Sequence, residues 1–439
     1  MEQDLFGTEK IAKILKKLAP PVMLAQLVQA LYNIVDSFFV GQYSANALTA
    51  LSVIYPLQLI IVALAVGTGV GVNTYMARKY AQGKEQEAEE VAGTGMVLEL
   101  FTWFVFAVVT VIFMKPYVKT SAKSPEAIAD AIVYGRIVCA GSIGAFLEGN
   151  WTKVHQAKGN MRLPMIAQMV GALTNIILDP ILISGMGIIP EMGVAGAAWA
   201  TVCGQVVAAV ITGVKGYRKP PKCKRLRHYT GRIYLYGYPS ILMQALYTVY
   251  IVALNMILAG FSDAAVTVLG LYYKMQTFFF IPLFGLQTCI VPVLSYNYAR
   301  GSYDRCRETM KDSYRISALF MVIGTAMFLF LPEPLIHIFS DSKEVLLIGK
   351  TAFPIIGTSF IPAVFSLMTP VFFQAIGYGK TSLLLSVTRQ ILCLMPLFWL
   401  FSLIGLQYTW CAFPLAEIIS GGIGLVLYRK VLTMAGKEK

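Results

Sequence analysis

The sequence predicts an all-α integral membrane protein: twelve transmembrane helices in two six-helix lobes, related by a pseudo-two-fold axis along the membrane normal. Three observations carry that expectation. First, the 439-residue chain is 57% hydrophobic and only 13% charged, with a mean hydropathy of +0.66, whereas a soluble domain has about 25% charged residues. Second, apolar runs of about 20 residues recur between short polar breaks, and each can cross a hydrocarbon core of roughly 30 Å. Third, one long basic break with two prolines, VKGYRKPPKCKRLRHYTGR at 214–232, divides the runs six and six.

In order, the expected spans are 18–40, 50–76, 91–114, 131–154, 164–184 and 194–213 in an amino-terminal lobe, residues 1–213. A cytoplasmic inter-lobe loop, 214–232, leads to 235–259, 265–293, 316–338, 351–375, 383–404 and 408–428 in a carboxy-terminal lobe, residues 233–439. The opening MEQDLFGTEK is acidic and lacks the basic n-region and cleavage site of a signal peptide, so the first span is expected to be retained.

Formal net charge is +13, but its distribution points to topology rather than to nucleic acid as a partner. Alternate connections, counted with the two termini, hold 29 of the 36 Lys and Arg residues, including Lys380 and Arg389. The excess of Lys and Arg in cytoplasmic loops then places both termini in the cytoplasm. The seven cysteines and three histidines are dispersed, with no CxxC or Cys/His ligand spacing, which argues against a disulfide framework or a Cys/His metal site.

The halves repeat. An offset of about 218 residues aligns Pro21 with Pro239, Ser44 with Ser262, Tyr80-Ala81-Gln82-Gly83 with Tyr298-Ala299-Arg300-Gly301, and Gln156-Ala157 with Gln374-Ala375. After a shorter outer loop, Trp199 meets Trp410 and Tyr217-Arg218 meets Tyr428-Arg429. Two lobes with six spans each enter the membrane in the same orientation. Parallel repeats of this kind are a transporter architecture, with substrate held near the midplane.

Asp36 and Asp179 are the most informative residues, because a carboxylate inside an apolar span is costly and marks an ion or substrate pathway. At about 1.5 Å rise per residue, their distances from Gly41 and Gly185 put them at similar depth in the outer half. Thr201, counted from Gly193, falls there too. Asn175 is four residues before Asp179 and so shares its helix face. Such a cluster of oxygens suits either Na⁺, by replacing its hydration shell, or H⁺ held between neighbouring acids. In the second half these positions become Leu254, Cys393, Leu397 and Ala412, so the polar set belongs to one lobe only.

Other polar residues in spans carry weaker signals. Lys274 and Glu417 lie at matched estimated depth and are expected to form a buried ion pair, with substrate binding as the alternative. Gln29, Glu148, Tyr247, Met275 and Phe278 are candidates for a substrate cavity, since aromatic and Met-rich surfaces accept varied ligands; for Glu148, near Trp151 and His155, cation binding and local pairing are equally open. Glu99 is expected to pair near the cytoplasmic end. Gly67, Gly69 and Gly71, with Pro282, Pro292, Pro354, Pro362 and Pro370, are expected to permit bending.

LAPPVMLAQLVQALYNIVDSFFVGQ, QAKGNMRLPMIAQMVGALTNIILDPILI and GVAGAAWATVCGQ resemble the multidrug and toxic compound extrusion (MATE) family, and YYKMQTFFFIPLFGLQ resembles its MepA-like bacterial branch. The resemblance spans essentially the whole chain. It implies a secondary antiporter in a bacterial plasma membrane, exporting organic cations or amphiphiles from a central cavity in exchange for H⁺ or Na⁺. It also implies a cation site on Asp36, Asn175, Asp179 and Thr201, no cofactor beyond the coupling ion, and a monomer in the lipid bilayer. The chain departs from some members at the seventh span, where Tyr247 stands in a region that carries an acid in those relatives. A lipid-linked precursor flippase of related architecture is the alternative, but it calls for a more basic cavity. An integral membrane enzyme lacks support, because neither a catalytic motif nor a P-loop is present.

Overall fold

A computed structural model describes residues 4–121, 124–185, 190–339 and 342–435. Among them every regular element is helical. The twelve expected spans correspond to twelve helices or broken helices. In the first half they are α1 (Ile11–Tyr43), α2 (Ala45–Ala81), α3 (Glu85–Ser121), α4 (Pro125–Gly141 and Ile143–Ala157), α5 (Arg162–Ser184) and α6 (Val194–Gly216). The second half has α7 (Cys223–Ala259), α8 (Asp263–Phe279 and Ile281–Ala299), α9 (Tyr303–Phe330) and α10 (Lys343–Gly357 and Phe360–Ala375). It closes with α11, covering Gly379–Ser402, and α12 (Ala412–Ala435). Short helical turns occupy Asp4–Thr8, Pro332–His337 and Leu406–Thr409.

The burial pattern suits lipid rather than water. On α3, Phe101, Phe104, Val105, Ile112 and Phe113 are exposed, while Thr68, Asn73 and Thr74 on α2 are buried. Local chemistry sets several element starts. Ser124 Oγ accepts from Ala127 N at 3.1 Å ahead of Pro125, and Ser262 Oγ accepts from Ala265 N at 3.2 Å, so each hydroxyl satisfies a helix-terminal N–H.

The repeat recurs in the backbone. Gly83 and Gly301 both adopt φ of 70°, and Gly159 and Gly377 have φ of 83° and 87°, so left-handed turns recur at the sequence offset. Two helices in the second half are sharply bent: the arms of α8 meet at 53° and those of α10 at 54°. Pro282 and Pro354 flank these breaks, as expected of residues that remove a backbone donor. The ring of Phe280, at the α8 break, packs 5.0 Å from Phe360 at the α10 break, and Phe328 lies 4.8 Å from Phe360 and 4.9 Å from Phe353. The freed backbone is thus buried in an aromatic core.

Contacts divide the chain into two compact units, residues 20–241 and residues 4–19 with 242–439. The expected lobe limits shift accordingly. The amino-terminal segment belongs with the carboxy unit: Phe6 is buried against Tyr296, its carbonyl accepts from Asn297 Nδ2 at 3.0 Å and Arg305 Nη2 at 2.8 Å, and Arg305 also donates to Glu9 O. The expected loop at 214–232 is also corrected, since α7 begins at Cys223 and only 217–222 lies outside helices. Polarity alone suggested a loop. The segment nevertheless packs, with Tyr75 touching Tyr229 and Tyr236, and Arg225 and Tyr229 holding Glu90 at 2.8 Å each. Lys437 and Lys439, counted above among the basic residues, lie outside the described residues.

The α2 glycines lie within one continuous helix. They allow close approach. A Cβ on Gly71 would lie 2.2 Å from Ile233 O, and one on Gly67 would lie 2.3 Å from Ile241 Cγ1. Helices in lipid gain little from hydrophobic segregation, so small residues that admit backbone contact are a main source of association. Gly71→Ala is therefore expected to destabilise the protein by about 1–3 kcal/mol through overpacking. Gly231→Ala, where nothing lies within 4 Å of the added carbon, is expected to be neutral or stabilising by up to about 1 kcal/mol. Thermal unfolding in detergent compares the two.

Candidate ion-coupling site

The site begins with two glycines. A Cβ on Gly204 of α6 would lie 2.6 Å from Gly171 O of α5, and the reverse substitution would meet Gly204 O at 2.7 Å. This contact between backbones brings Asn175, one turn beyond Gly171, against Thr201, one turn before Gly204. Asn175 Nδ2 donates to Thr201 Oγ1 at 3.4 Å and to Asp179 Oδ1 at 3.5 Å. The i, i+4 relation between Asn175 and Asp179 gives the two groups a common face.

Asp36 enters from α1 and lies within electrostatic reach of Asp179. All four expected residues are buried and brought together. Sequence reasoning missed the aromatic wall: Tyr32 of α1 and Tyr134 of α4 lie within electrostatic reach of Asp36, and Gln58 Nε2 donates to Tyr134 at 3.4 Å. Tyr32 lies one turn before Asp36, so the spacing rule that joined Asn175 to Asp179 reaches it as well.

Three oxygens of the cluster are left open. Among the described residues, Asp36 Oδ1, Asp179 Oδ2 and Asn175 Oδ1 are buried without a hydrogen-bond partner. A buried acceptor left alone forfeits about 1–3 kcal/mol, and more if charged. The arrangement can repay that cost by taking a proton or a desolvated monovalent cation. Among the described residues no three His, Cys, Asp or Glu side chains are placed to hold a metal; this site has two acids, completed by amide and hydroxyl oxygens.

The other candidates fall in both units. Gln29 is exposed on α1, and Phe278 is half-buried on α8. Glu148 accepts from Thr152 Oγ1 at 2.6 Å. Met275 is buried inside the carboxy unit rather than open to a ligand. Tyr247 is half-buried and meets the rings of Tyr250 and Tyr273 edge-on, at 5.4 and 6.4 Å.

Two expected pairings are corrected. Lys274 does not pair with Glu417: it is exposed, with Nζ 5.8 Å from the centre of the Phe339 ring. Depth along a helix matched, but direction around it did not. The partner of Glu417 is Arg389, whose Nη2 donates to Oε1 at 2.6 Å and whose Nε lies 2.9 Å from each oxygen. Ser366 Oγ also donates to Oε2. Arg389 sits in a π-helical turn of α11, Thr388–Leu394, and is buried rather than placed among the cytoplasmic basic residues. Glu99 is the second correction. It is fully buried, and neither carboxylate oxygen has a hydrogen-bond partner among the described residues.

Removing one member of a buried ion pair typically costs about 3–5 kcal/mol, whereas replacing both with apolar groups is often nearly neutral. Glu417→Gln should therefore lower the unfolding temperature sharply, and the double change Arg389→Met with Glu417→Leu should restore most of the loss. Lys274→Met should have little effect on the same measurement.

The profile of the MatE family matches residues 21–181 and 239–400, one segment in each half. An FAD transporter of Shewanella oneidensis is 24% identical over 94% of this chain and 93% of its own length. A probable multidrug resistance protein NorM of Thermotoga maritima is 26% identical over 79% and 76%, respectively. The multidrug export protein MepA of Staphylococcus haemolyticus is 22% identical over 97% and 95%. Among solved structures, an outward-facing multidrug resistance MATE family transporter of the MOP superfamily covers 100% of this chain, and 99% of that chain is covered. Its TM-score is 0.92 at 22% identity. A MOP superfamily transporter from Pyrococcus furiosus gives a TM-score of 0.91, also at 22% identity, covering 99% of this chain and 98% of that one. A buried oxygen cluster in a two-unit helical membrane protein and a family match in both halves lead to one assignment: the chain belongs to the MatE family of multi-pass membrane transporters.

Proposed function

We propose that this protein is a secondary antiporter of the plasma membrane, exporting organic cations or amphiphiles in exchange for H⁺ or Na⁺ by alternating access. Of the relatives named above, one is a multidrug export protein and another a probable multidrug resistance protein, which supports that substrate class. Both termini lie in the cytoplasm, in keeping with the basic residues of alternate connections, and the functional protein is a monomer. The observation that carries the reading is the set of orphaned oxygens on Asp36, Asp179 and Asn175.

The chemistry follows from differential binding. A proton or Na⁺ at the Asp36–Asp179 pair must favour one access state over the other, because a ligand that binds both states equally shifts nothing. Each charge falling through 100 mV releases about 2.3 kcal/mol. At about 1.36 kcal/mol per decade, that sustains roughly a fifty-fold gradient of a neutral substrate per charge. Asn175 and Thr201 supply neutral oxygens that orient the ion without adding charge.

Transport in proteoliposomes, with pH and Na⁺ gradients imposed separately, tests the proposal. One inward ion gradient should drive uphill substrate movement; movement indifferent to both gradients would overturn it. Asp36→Asn keeps the side-chain volume but cannot cycle its charge. It should abolish gradient-driven export while the protein remains folded in the membrane. Asp179→Asn should displace the pH or Na⁺ dependence of transport, and Asn175→Ala should displace it less, since a neutral ligand contributes less. Ion titrations of the transport rate compare the pair, and unchanged dependence in both would assign the cluster to structure.

A further inference from the structure

The two units treat their buried acids in opposite ways. In the amino unit, α5 and α6 carry Asn175, Asp179 and Thr201, and three oxygens of the cluster with Asp36 are left without partners. In the carboxy unit, the equivalent helices α11 and α12 carry Arg389 and Glu417. At the repeat offset, Cys393 and Leu397 stand for Asn175 and Asp179, so Arg389 lies one turn before the counterpart of Asn175. The π-helical turn Thr388–Leu394 encloses this arginine. Such turns insert an extra residue into a helix and frequently occur at functional positions.

Both oxygens of Glu417 are taken. Oε1 accepts from Arg389 Nη2 and Nε, while Oε2 accepts from Arg389 Nε and from Ser366 Oγ of α10. Neither is among the buried atoms without a partner. The remaining polar groups within electrostatic reach of Glu417 are Tyr250 of α7, Tyr272 of α8 and Cys393 of α11. A guanidinium keeps its charge at all physiological pH values and matches a carboxylate through two parallel N–H groups. It therefore does for Glu417 what a captured cation does for the amino-unit acids, and it cannot leave.

We infer that Arg389 is a tethered counter-cation for the buried acid carried by the α11–α12 pair of the carboxy unit, so that only the amino unit exchanges an ion with solution. The inference rests on the ion-coupled reading above, and it makes Arg389 a determinant of how many ions each cycle moves. A basic side chain in place of an exchangeable ion keeps the unit electrically closed while the other unit cycles.

The test uses the detergent-purified full-length chain, with radioactive Na⁺ and proton uptake around neutral pH as probes. The first comparison sets Asp36→Asn/Asp179→Asn against the same chain with Glu417→Gln added, leaving Arg389 intact. No difference in bound ion is expected. A difference would show that Glu417 already exchanges an ion, and the inference would fail. The second comparison repeats both chains with Arg389→Gln. Now Glu417 should capture an extra ion equivalent, lost again with Glu417→Gln. A folded Arg389→Gln chain that gains nothing contradicts the inference; if that chain does not fold, the first comparison decides alone. Ion coupling itself is judged separately, by whether the unmodified chain binds an ion that Asp36→Asn/Asp179→Asn loses.

Discussion

A buried polar group in a membrane protein has no water to turn to, and this constraint organises the molecule. Unsatisfied groups cost several kcal/mol in hydrocarbon, so closing them internally or by a ligand is favoured. Glu417 is closed by Arg389 and Ser366. Asp36, Asp179 and Asn175 are left open on one oxygen each. That asymmetry between units with a common backbone plan separates a structural ion pair from a site that can work on an ion.

The glycines are what bring the open site together. Without close approach of α5 and α6 at Gly171 and Gly204, Asn175 and Thr201 would stand apart, and the neutral oxygens would not complete the carboxylate pair. The same device at Gly67 and Gly71 seats the start of α7 on α2, within the amino unit. The carboxy unit relies on a different solution, with phenylalanine rings filling the space where α8 and α10 break.

Much of this was legible in the sequence, for identifiable reasons. Hydropathy marks spans because lipid demands long apolar runs, and acids within them are conspicuous. Asp36, Asn175, Asp179 and Thr201 were found by depth and by helical spacing, and the structure places them together. Depth carries no information about direction around a helix, which is why Lys274 was matched to Glu417 while the true partner, Arg389, was counted with the cytoplasmic basic residues. A straight-helix rise also cannot anticipate the π-helical turn that contains Arg389 or the sharp bends of α8 and α10. The helical character of 223–232 was hidden by its charge, since solvated helix and loop share that composition. Tyr32 and Tyr134 were missed because a tyrosine in a span reads equally well as an interfacial anchor.

The central claim is that the open carboxylates of the amino unit, Asp36 and Asp179, are where the coupling ion binds. Infrared difference spectroscopy of the reconstituted protein, recorded across a step in pH or Na⁺, reads carboxyl protonation and coordination directly. The account predicts a carboxyl signal for one of the two ions that weakens in Asp36→Asn or Asp179→Asn and disappears when both are changed. An undiminished signal in the doubly changed protein would contradict it.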